Sequence, residues 1–276
     1  MAFRLGNLDG RAVLIDGENW HDLAAASNGS FSGDPMEAVH RHAELHTIQL
    51  NSRSPDGAVA SAVFGPPVPC PRSVFAIGLN YAGHAGEADM DLPESPLVFT
   101  KFPSCLAGAT DNVELNSDFA DYEAELVVVI GTAGRSISPN NAWNHVMGLT
   151  VGQDISDRAL QFAAKPPHFD LGKSRDTYGP CGPAVVSTDL IAEPSNLRIT
   201  CDINGERRQS GNTGQLIFDV PTLISYLSEI LTLEVGDLIF TGTPEGIGAS
   251  SGEFLAAGDV IETSIEGLGK LRNVCI

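Results

Sequence analysis

The sequence predicts an α+β fold rich in β-strands, whose larger part is a mixed β-strand roll or sandwich. After residue 73 the chain contains many short apolar runs typical of strands, separated by glycine and proline. Few helical patterns lie between them, and strands that do not alternate regularly with helices argue against a doubly wound sheet or a (β/α)8 barrel. The strand-like runs are VFAIGL, PLVFTKF, AELVVVIG, HVMGLTVG, PAVVST, RITCDING, DLIFTGT, DVIETSIEG and KLRNVCI.

The first seventy residues predict a small N-terminal domain. They contain short strand-like pieces, RAVLID and TIQL, and a helix expected to begin at Asp34-Pro35, because Asp is a good N-cap and Pro suits the first turn. The segment FGPPVPCPRS, residues 64–73, has four prolines in ten residues, which is typical of a linker. We therefore divide the chain into residues 1–70 and 71–276.

Two helices carry further signals. The first includes HRHAELH, residues 40–46, which we interpret as a solvated helix face rather than a metal site, because no paired carboxylate or cysteine completes a ligand set. The second is expected from Asp219 to about Leu231, with Pro221 at its start. Its predicted apolar face consists of Leu223, Ile224, Leu227, Ile230 and Leu231.

Charge and cysteine usage exclude several protein classes. There are 16 Lys and Arg against 35 Asp and Glu, a net charge of −19 that would repel nucleic acid and an anionic membrane surface. No apolar run approaches the ~18 residues of a membrane span, and no signal peptide is evident, so we expect a cytoplasmic protein. The five cysteines are odd in number and lack CxxC spacing, which predicts reduced thiols.

The stretch DYEAELVVVIG, residues 121–131, begins a strand with two carboxylates. Side chains alternate along a strand, so Glu123 and Glu125 share one face, about 6.6 Å apart at about 3.3 Å per residue. They repel each other by about 2.5 kcal/mol at an effective dielectric constant of about 20, which a cation would reverse. Asp154 follows another strand-like run and offers a third carboxylate for Mg²⁺, Mn²⁺ or Ca²⁺. The alternative is an exposed strand end without an ion.

Two further stretches contain groups capable of chemistry. In GLNYAGHAGE, residues 78–87, His84 and Glu87 are spaced as helical neighbours, so the carboxylate can orient the imidazole as a general base, although a surface histidine beside a glutamate is the alternative. Lys173 lies beside a glycine in FDLGKSRDTYGPCGP, residues 169–183. A phosphate-binding P-loop is rejected there, because Pro167 replaces its first glycine.

These stretches together resemble the fumarylacetoacetate hydrolase family, over residues 73–276. The matching segments, in order, are GLNYAGHAGE, PLVFTKFPS, DYEAELVVVIG, GQDISDRALQ, GKSRDTYGPCGP, GNTGQLIFDVPTLISYLS, GDLIFTGTPEGIG and GDVIETSIEGLGKLRN. The resemblance implies a catalytic domain of that family's β-rich type and, usually, a homodimer.

The resemblance also implies roles for particular residues. Glu123, Glu125 and Asp154 would bind the metal, His84 and Glu87 would form a catalytic dyad on a mobile lid, and Lys173 would be the positive group at the substrate. Substrate-binding positions implied by the match are Lys101, Arg158, Gln161 and Thr213. In the segment GQDISDRALQ, family members commonly carry an acid after the arginine, whereas Ala159 follows Arg158 here. This difference puts one salt bridge or substrate contact in question.

The chemistry implied by the resemblance is Mg²⁺- or Mn²⁺-dependent hydrolysis of a carbon–carbon bond in a small anionic keto acid or 1,3-diketone of the acylpyruvate type, in aromatic or small-acid catabolism. Such substrates bind the metal as enolates, so decarboxylation of oxaloacetate and isomerisation or decarboxylation of dienoates are alternatives on the same residues. A binding or scaffolding protein that has kept the fold and lost activity is the alternative from another class.

Overall fold

The computed structural model describes residues 2–50, 53–83 and 93–276. The strand-rich α+β fold is confirmed: strands dominate and the helices are short. The strands are β1 Arg4–Leu8, β2 Arg11–Asp16, β3 Asn19–Asp22, β4 Gly57–Ala58, β5 Phe64–Gly65, β6 Val74–Gly78, β7 Leu97–Thr100, β8 Leu106–Ala107, β9 Ala120–Asp121, β10 Ala124–Ile130, β11 Val146–Gln153, β12 Ser156–Asp157, β13 Gly179–Val186, β14 Arg198–Ile203, β15 Glu206–Asn212, β16 Leu238–Phe240, β17 Val260–Ile265 and β18 Gly269–Val274. The α-helices are α1 Leu23–Ala26, α2 Pro35–His40, α3 Arg158–Gln161, α4 Phe169–Gly172, α5 Val220–Ile230 and α6 Gly248–Ser251.

Within the described residues, the strands form one large sheet and two smaller ones. The large sheet has twelve strands in the order β4-β3-β2-β1-β13-β11-β10-β16-β6-β7, with β5 paired to β1 and β8 to β13. Its pairs are antiparallel apart from β16 with β6 and β13 with β8. A four-stranded sheet has the order β15-β14-β17-β18, and β9 pairs with β12.

Strand β10 lies at the centre of the protein, and its two faces pack in two different cores. Ala124, Leu126, Val128 and Ile130 belong to one apolar cluster, which extends to the small sheet and α5. Val127 and Val129 belong to the other, which extends to strands β1 and β2. The sequence prediction of a strand buried on both sides is therefore confirmed.

The N-terminal strands continue the large sheet. Strand β1 pairs with β13, with Leu5 opposite Val185, and the proline-rich segment is anchored by the pairing of β5 with β1. Phe64 and Val68 in that segment are buried. The division of the chain at residue 70 stays a prediction; the sheet itself runs across it.

The two predicted helices are present. Helix α5 is capped by Asp219, whose side chain accepts a hydrogen bond from Thr222 N at 2.9 Å, and it buries Leu223, Ile224 and Leu227 as expected. Ile230 is an exception to the predicted apolar face, because it is 61% exposed at the last turn. Helix α2 begins after Asp34 but ends at His40, so HRHAELH continues as a 3-10 helix, His42–Thr47, instead of an α-helix. No helix of the described residues is long and apolar enough to cross a membrane.

Candidate active site

Three carboxylates from two neighbouring strands meet at one point. Ala124 on β10 pairs with Gln153 on β11, so Glu123 and Asp154, the residues just beyond that pair, face each other, and Asp154 N donates to Glu123 O at 2.9 Å. Glu125 lies two residues further along β10 on the glutamate face. One oxygen from each of Glu123, Glu125 and Asp154 lies within 4.8 Å of the others, and all three residues are buried. The predicted convergence of these side chains is present in the structure.

Backbone and amide donors fix the carboxylates in place. Gln153 accepts a hydrogen bond from Glu123 N at 2.9 Å and donates to Thr263 Oγ1 at 2.8 Å, which ties the start of β10 to the small sheet. Glu125 Oε2 accepts from Gly242 N at 2.8 Å. Gly242 has φ +102°, and a Cβ there would lie 2.7 Å from the Cβ of Asn80, so only glycine brings this amide to the carboxylate.

Lys173 and Lys101 contact the carboxylates from two sides. Lys173 follows α4, and its Nζ lies 3.0 Å from Glu123 Oε2, 2.8 Å from Asp154 Oδ2 and 2.6 Å from the hydroxyl of Ser156. Lys101 Nζ donates to Asp154 Oδ1 at 2.7 Å, to Tyr178 O at 3.1 Å and to the carbonyl of Lys173. Lys101 therefore helps to fix the positions of both Asp154 and Lys173.

The placement of Lys101 differs from the substrate-binding role implied by the resemblance. Its side chain is fully buried, and its three ammonium hydrogens are used by three protein oxygens. Burial acts to lower the pKa of Lys101, but the interactions with Asp154, Cys105 and Glu125 together outweigh it, so the pKa is raised. The ammonium is charged and turned inward, which fits a role in positioning the site instead of contact with substrate.

Arg158, on α3, connects the site to a fourth carboxylate. Its guanidinium donates to Asp121 Oδ2 at 2.9 Å, to Glu123 Oε1 at 2.5 Å and to Gln161 Oε1 at 3.0 Å. Burial opposes the charge on Arg158, but Glu123 and Asp121 outweigh it and raise the pKa. Arg158 has two carboxylate partners although Ala159 is not an acid, so its own ion pairing does not depend on that position.

Asp121, to which the sequence motifs assign no role, is a further carboxylate of the site, linked to it through Arg158. Besides Arg158, its carboxylate accepts from Gly248 N at 2.7 Å and Ala249 N at 2.9 Å. A Cβ at Gly248 would lie 2.6 Å from Asp121 Oδ1, so the backbone approaches as closely as glycine allows. Asp121 precedes Glu123 by two residues, and the DxExE alternation was the available signal.

An open cavity of about 350 Å³ lies against this cluster. Glu123, Arg158, Gln161 and Lys173 contribute its charged and amide groups. Its other lining residues include Ile77, Leu79, Phe99, Phe162, Pro167, Phe169 and Ile247. Gln161 uses its carbonyl oxygen for Arg158, which leaves its amide nitrogen as the donor it can offer.

Thr213 is not brought to this cavity in the described structure. It is buried where β15 ends, and its hydroxyl accepts from Leu197 N at 2.8 Å. The neighbouring Asn212 caps the 3-10 helix Thr213–Gln215. The hydrogen bond from Leu197 N therefore ties the end of β15 to the residue before β14, and the substrate contact of Thr213 stays a prediction. His84 and Glu87 lie outside the described residues.

The donor set fits a hard divalent cation. The three facing ligands are all carboxylates, and oxygen-only sets are those preferred by Mg²⁺, Mn²⁺ and Ca²⁺. The pKa of Glu125 is raised well above its usual value by burial and by the neighbouring Asp154 and Glu123, so the group of acids is short of positive charge. Glu123, Glu125 and Asp154 are the residues that would hold the ion.

Comparisons with known proteins agree with this geometry. Residues 73–276 match the family described as "Fumarylacetoacetate (FAA) hydrolase C-terminal". Oxaloacetate tautomerase YisK of Bacillus subtilis is 38% identical over 300 residues, covering 99% of each chain. Fumarylacetoacetate hydrolase from Exiguobacterium antarcticum has a structure with TM-score 0.85, 34% identity and coverage of 100% of this chain and 99% of that one.

A third relative was solved with ligands. Maleylpyruvate hydrolase from Sphingobium sp. SYK-6, in complex with manganese(II) ion and pyruvate, has TM-score 0.79 and 27% identity, covering 99% of this chain and 98% of that one. The family match covers most of the chain and contains the three carboxylates, both lysines and Arg158. The resemblance predicted from the sequence is thus confirmed, and the chain belongs to the fumarylacetoacetate hydrolase family.

Proposed function

We propose that the chain is a divalent-cation-dependent enzyme that interconverts the keto and enol forms of small 2-keto acids, with oxaloacetate as the first substrate to test. The observation that carries the proposal is the buried group of Glu123, Glu125 and Asp154 with the Lys173 ammonium beside it at a cavity wall. Full-length similarity to an oxaloacetate tautomerase supports this reaction over the hydrolysis expected from the sequence.

The charges of the site favour an anionic substrate only when a cation is bound. Among the described residues, the four acidic side chains of the site are Asp121, Glu123, Glu125 and Asp154, and its three cations are Lys101, Arg158 and Lys173. Four minus three leaves one negative charge, and a divalent ion changes the sum to one positive charge. When bound, the ion would supply Lewis-acid polarisation of a carbonyl group, and Mg²⁺ and Mn²⁺ are the candidates.

The chain's own residues would do the rest of the work. Lys173 would place its ammonium near the oxygen that becomes negative as the enolate forms, in a buried setting where such an interaction is strong. Gln161 would orient the substrate through its amide nitrogen. His84, oriented by Glu87, would remove and return the proton at carbon; this role stays a prediction from the HxxE spacing.

A second candidate is hydrolysis of the carbon–carbon bond of an acylpyruvate. The specific observation in its favour is the His84 and Glu87 pair in the sequence, which would activate a water molecule for attack on the distal carbonyl. The enolate would then be the leaving group, and the same residues would stabilise it. The maleylpyruvate hydrolase among the relatives gives the precedent.

The two reactions differ in whether a carbon–carbon bond of the substrate is broken. We would incubate oxaloacetate in D₂O with Mn²⁺ or Mg²⁺ and follow it by NMR, and add an acylpyruvate in parallel. A tautomerase accelerates deuterium incorporation at the methylene carbon and keeps all four carbons, whereas a hydrolase releases two acids from the acylpyruvate. Rates unchanged by chelator, or equal in the Glu123→Gln variant, would refute the proposal. The homodimer also stays a proposal, testable by light scattering.

A further inference from the structure

We propose that the preferred substrate carries an apolar arm, aromatic or branched alkyl, and that a row of three phenylalanines, Phe99, Phe169 and Phe162, binds this arm. The inference rests on the proposed function, because it takes the charged wall of the cavity as the place where the keto acid is held. It names the substrate class within that function: a 2-keto acid with one carboxylate and an apolar group at the other end.

The phenylalanine row begins at the reactive groups. Lys173 Nζ lies 5.4 Å from the centroid of the Phe99 ring, within the range of a cation–π contact. Phe99 and Phe169 pack edge to face with centroids 5.5 Å apart. Phe169 and Phe162 do the same at 6.4 Å. A substrate held at Lys173 therefore has an aromatic surface next to it.

The row ends at solvent. Phe99 is 9% exposed, whereas Phe162, at the other end, is 57% exposed. All three rings line the cavity, together with Pro167, which lies in the connection between α3 and α4. A partly exposed aromatic row that continues from a buried cation provides a hydrophobic path out of the site, and covering it with an apolar group removes its surface from water.

Apart from the Gln161 amide nitrogen, the polar side chains that line the cavity are already paired with protein groups. Arg158 is neutralised by Asp121 and Glu123, and the Thr243 hydroxyl accepts from Gln209 Nε2 at 2.8 Å. Among the described residues that line the cavity, Arg158 and Lys173 are the cations, so a second substrate carboxylate lying along the rings would find no free one. An apolar arm meets rings there instead.

The size of the cavity supports the same class. At about 350 Å³ it lies at the lower end of the range, roughly 300–1,000 Å³, for pockets that enclose drug-sized ligands. A four-carbon keto acid bound at the carboxylates would leave the phenylalanine end of such a space unfilled. A phenyl or branched alkyl group attached to the same head would reach it.

Binding of two unreactive analogues tests the inference. We would titrate the Mn²⁺-loaded protein calorimetrically with oxamate and with N-phenyloxamate, which share one head and differ by a phenyl arm. In the wild type we expect the phenyl arm to tighten binding by about tenfold or more. Phe162→Ser, at a largely exposed position that should not disturb folding, is expected to remove most of this gain. Ile230→Ser, an exposed apolar residue on α5, is the control and should keep it.

The outcomes separate this inference from the proposed function. Equal affinity of the wild type for both analogues, or a gain that survives both Phe162→Ser and Phe169→Ser, would overturn the inference. The first of these results is also expected if another copy of the chain covers the row. A protein that prefers N-phenyloxamate but enolises no keto acid would refute the proposed function and leave the inference standing. Turnover of oxaloacetate without any gain in affinity from the phenyl arm would support the proposed function and overturn the inference.

Discussion

Replacing Lys101 with methionine removes a buried cation and keeps nearly the same side-chain volume. The change leaves Asp154 without one of its two ammonium partners and leaves the carbonyls of Tyr178 and Lys173 without that donor. Breaking a buried ion pair by removing one partner costs about 3–5 kcal/mol. For a domain of this size we expect the melting temperature to fall by roughly 10 °C in the presence of chelator.

Lys270→Met is the matched control for that variant. Lys270 is 67% exposed, and its Nζ is 3.7 Å from Glu262, so the same chemical change at an exposed pair should cost less than about 1 kcal/mol. Thermal and urea unfolding of both variants with chelator would measure the difference. The double variant Lys101→Met/Asp154→Asn should recover part of the loss, because the uncompensated charge is gone. A Lys101→Met variant as stable as the control would refute the positioning role.

Two substitutions and one chemical titration test other parts of the molecule. In a thermal-shift assay, the Glu125→Gln variant should gain no stability from Mn²⁺. With chelator it should be at least as stable as the wild type, because burial, Asp154 and Glu123 raise the pKa of Glu125. A wild-type response to Mn²⁺ would contradict this expectation. Arg158→Lys loses the planar fork that holds Asp121 and Glu123, so calorimetric Mn²⁺ affinity should fall about 10–100-fold, and an unchanged affinity would count against that role. Thiol titration of the folded protein should find one fast-reacting thiol at neutral pH, that of the exposed Cys70. The other four cysteines are buried, and burial raises the pKa of Cys181 and Cys201 to about 12. Two fast thiols would contradict this burial.

The carboxylate site could be predicted because its signals are local. Strand alternation alone puts Glu123 and Glu125 on one face, and the unbroken aliphatic run after them indicates a strand buried on both sides. The cap of α5 is likewise local, since Asp219 and Pro221 lie within one turn. These features depend on neighbours along the chain, so a single sequence contains them.

The remainder depends on contacts between distant residues. Lys101 and Asp154 are 53 residues apart, and the sequence does not show that the ammonium faces inward instead of toward substrate. The Thr213 hydroxyl accepts from Leu197 N, a residue 16 positions earlier, and no pattern along the chain shows that contact. The phenylalanine row joins residues from β7, α4 and the residue after α3, and no pattern along the chain connects them.

The net charge of −19 and the cations of the site act on an anionic substrate over different distances. Exposed acids repel it from afar, and salt at about 0.15 M confines that repulsion to about 8 Å. Lys101 and Lys173 are buried among carboxylates, so salt screens their interactions much less. Raising ionic strength should therefore increase kcat/KM of the Mn²⁺-loaded protein for a keto acid, because it weakens the repulsion and leaves the attraction. A decrease between 10 and 150 mM KCl would mean that positive groups already dominate the field outside the cavity.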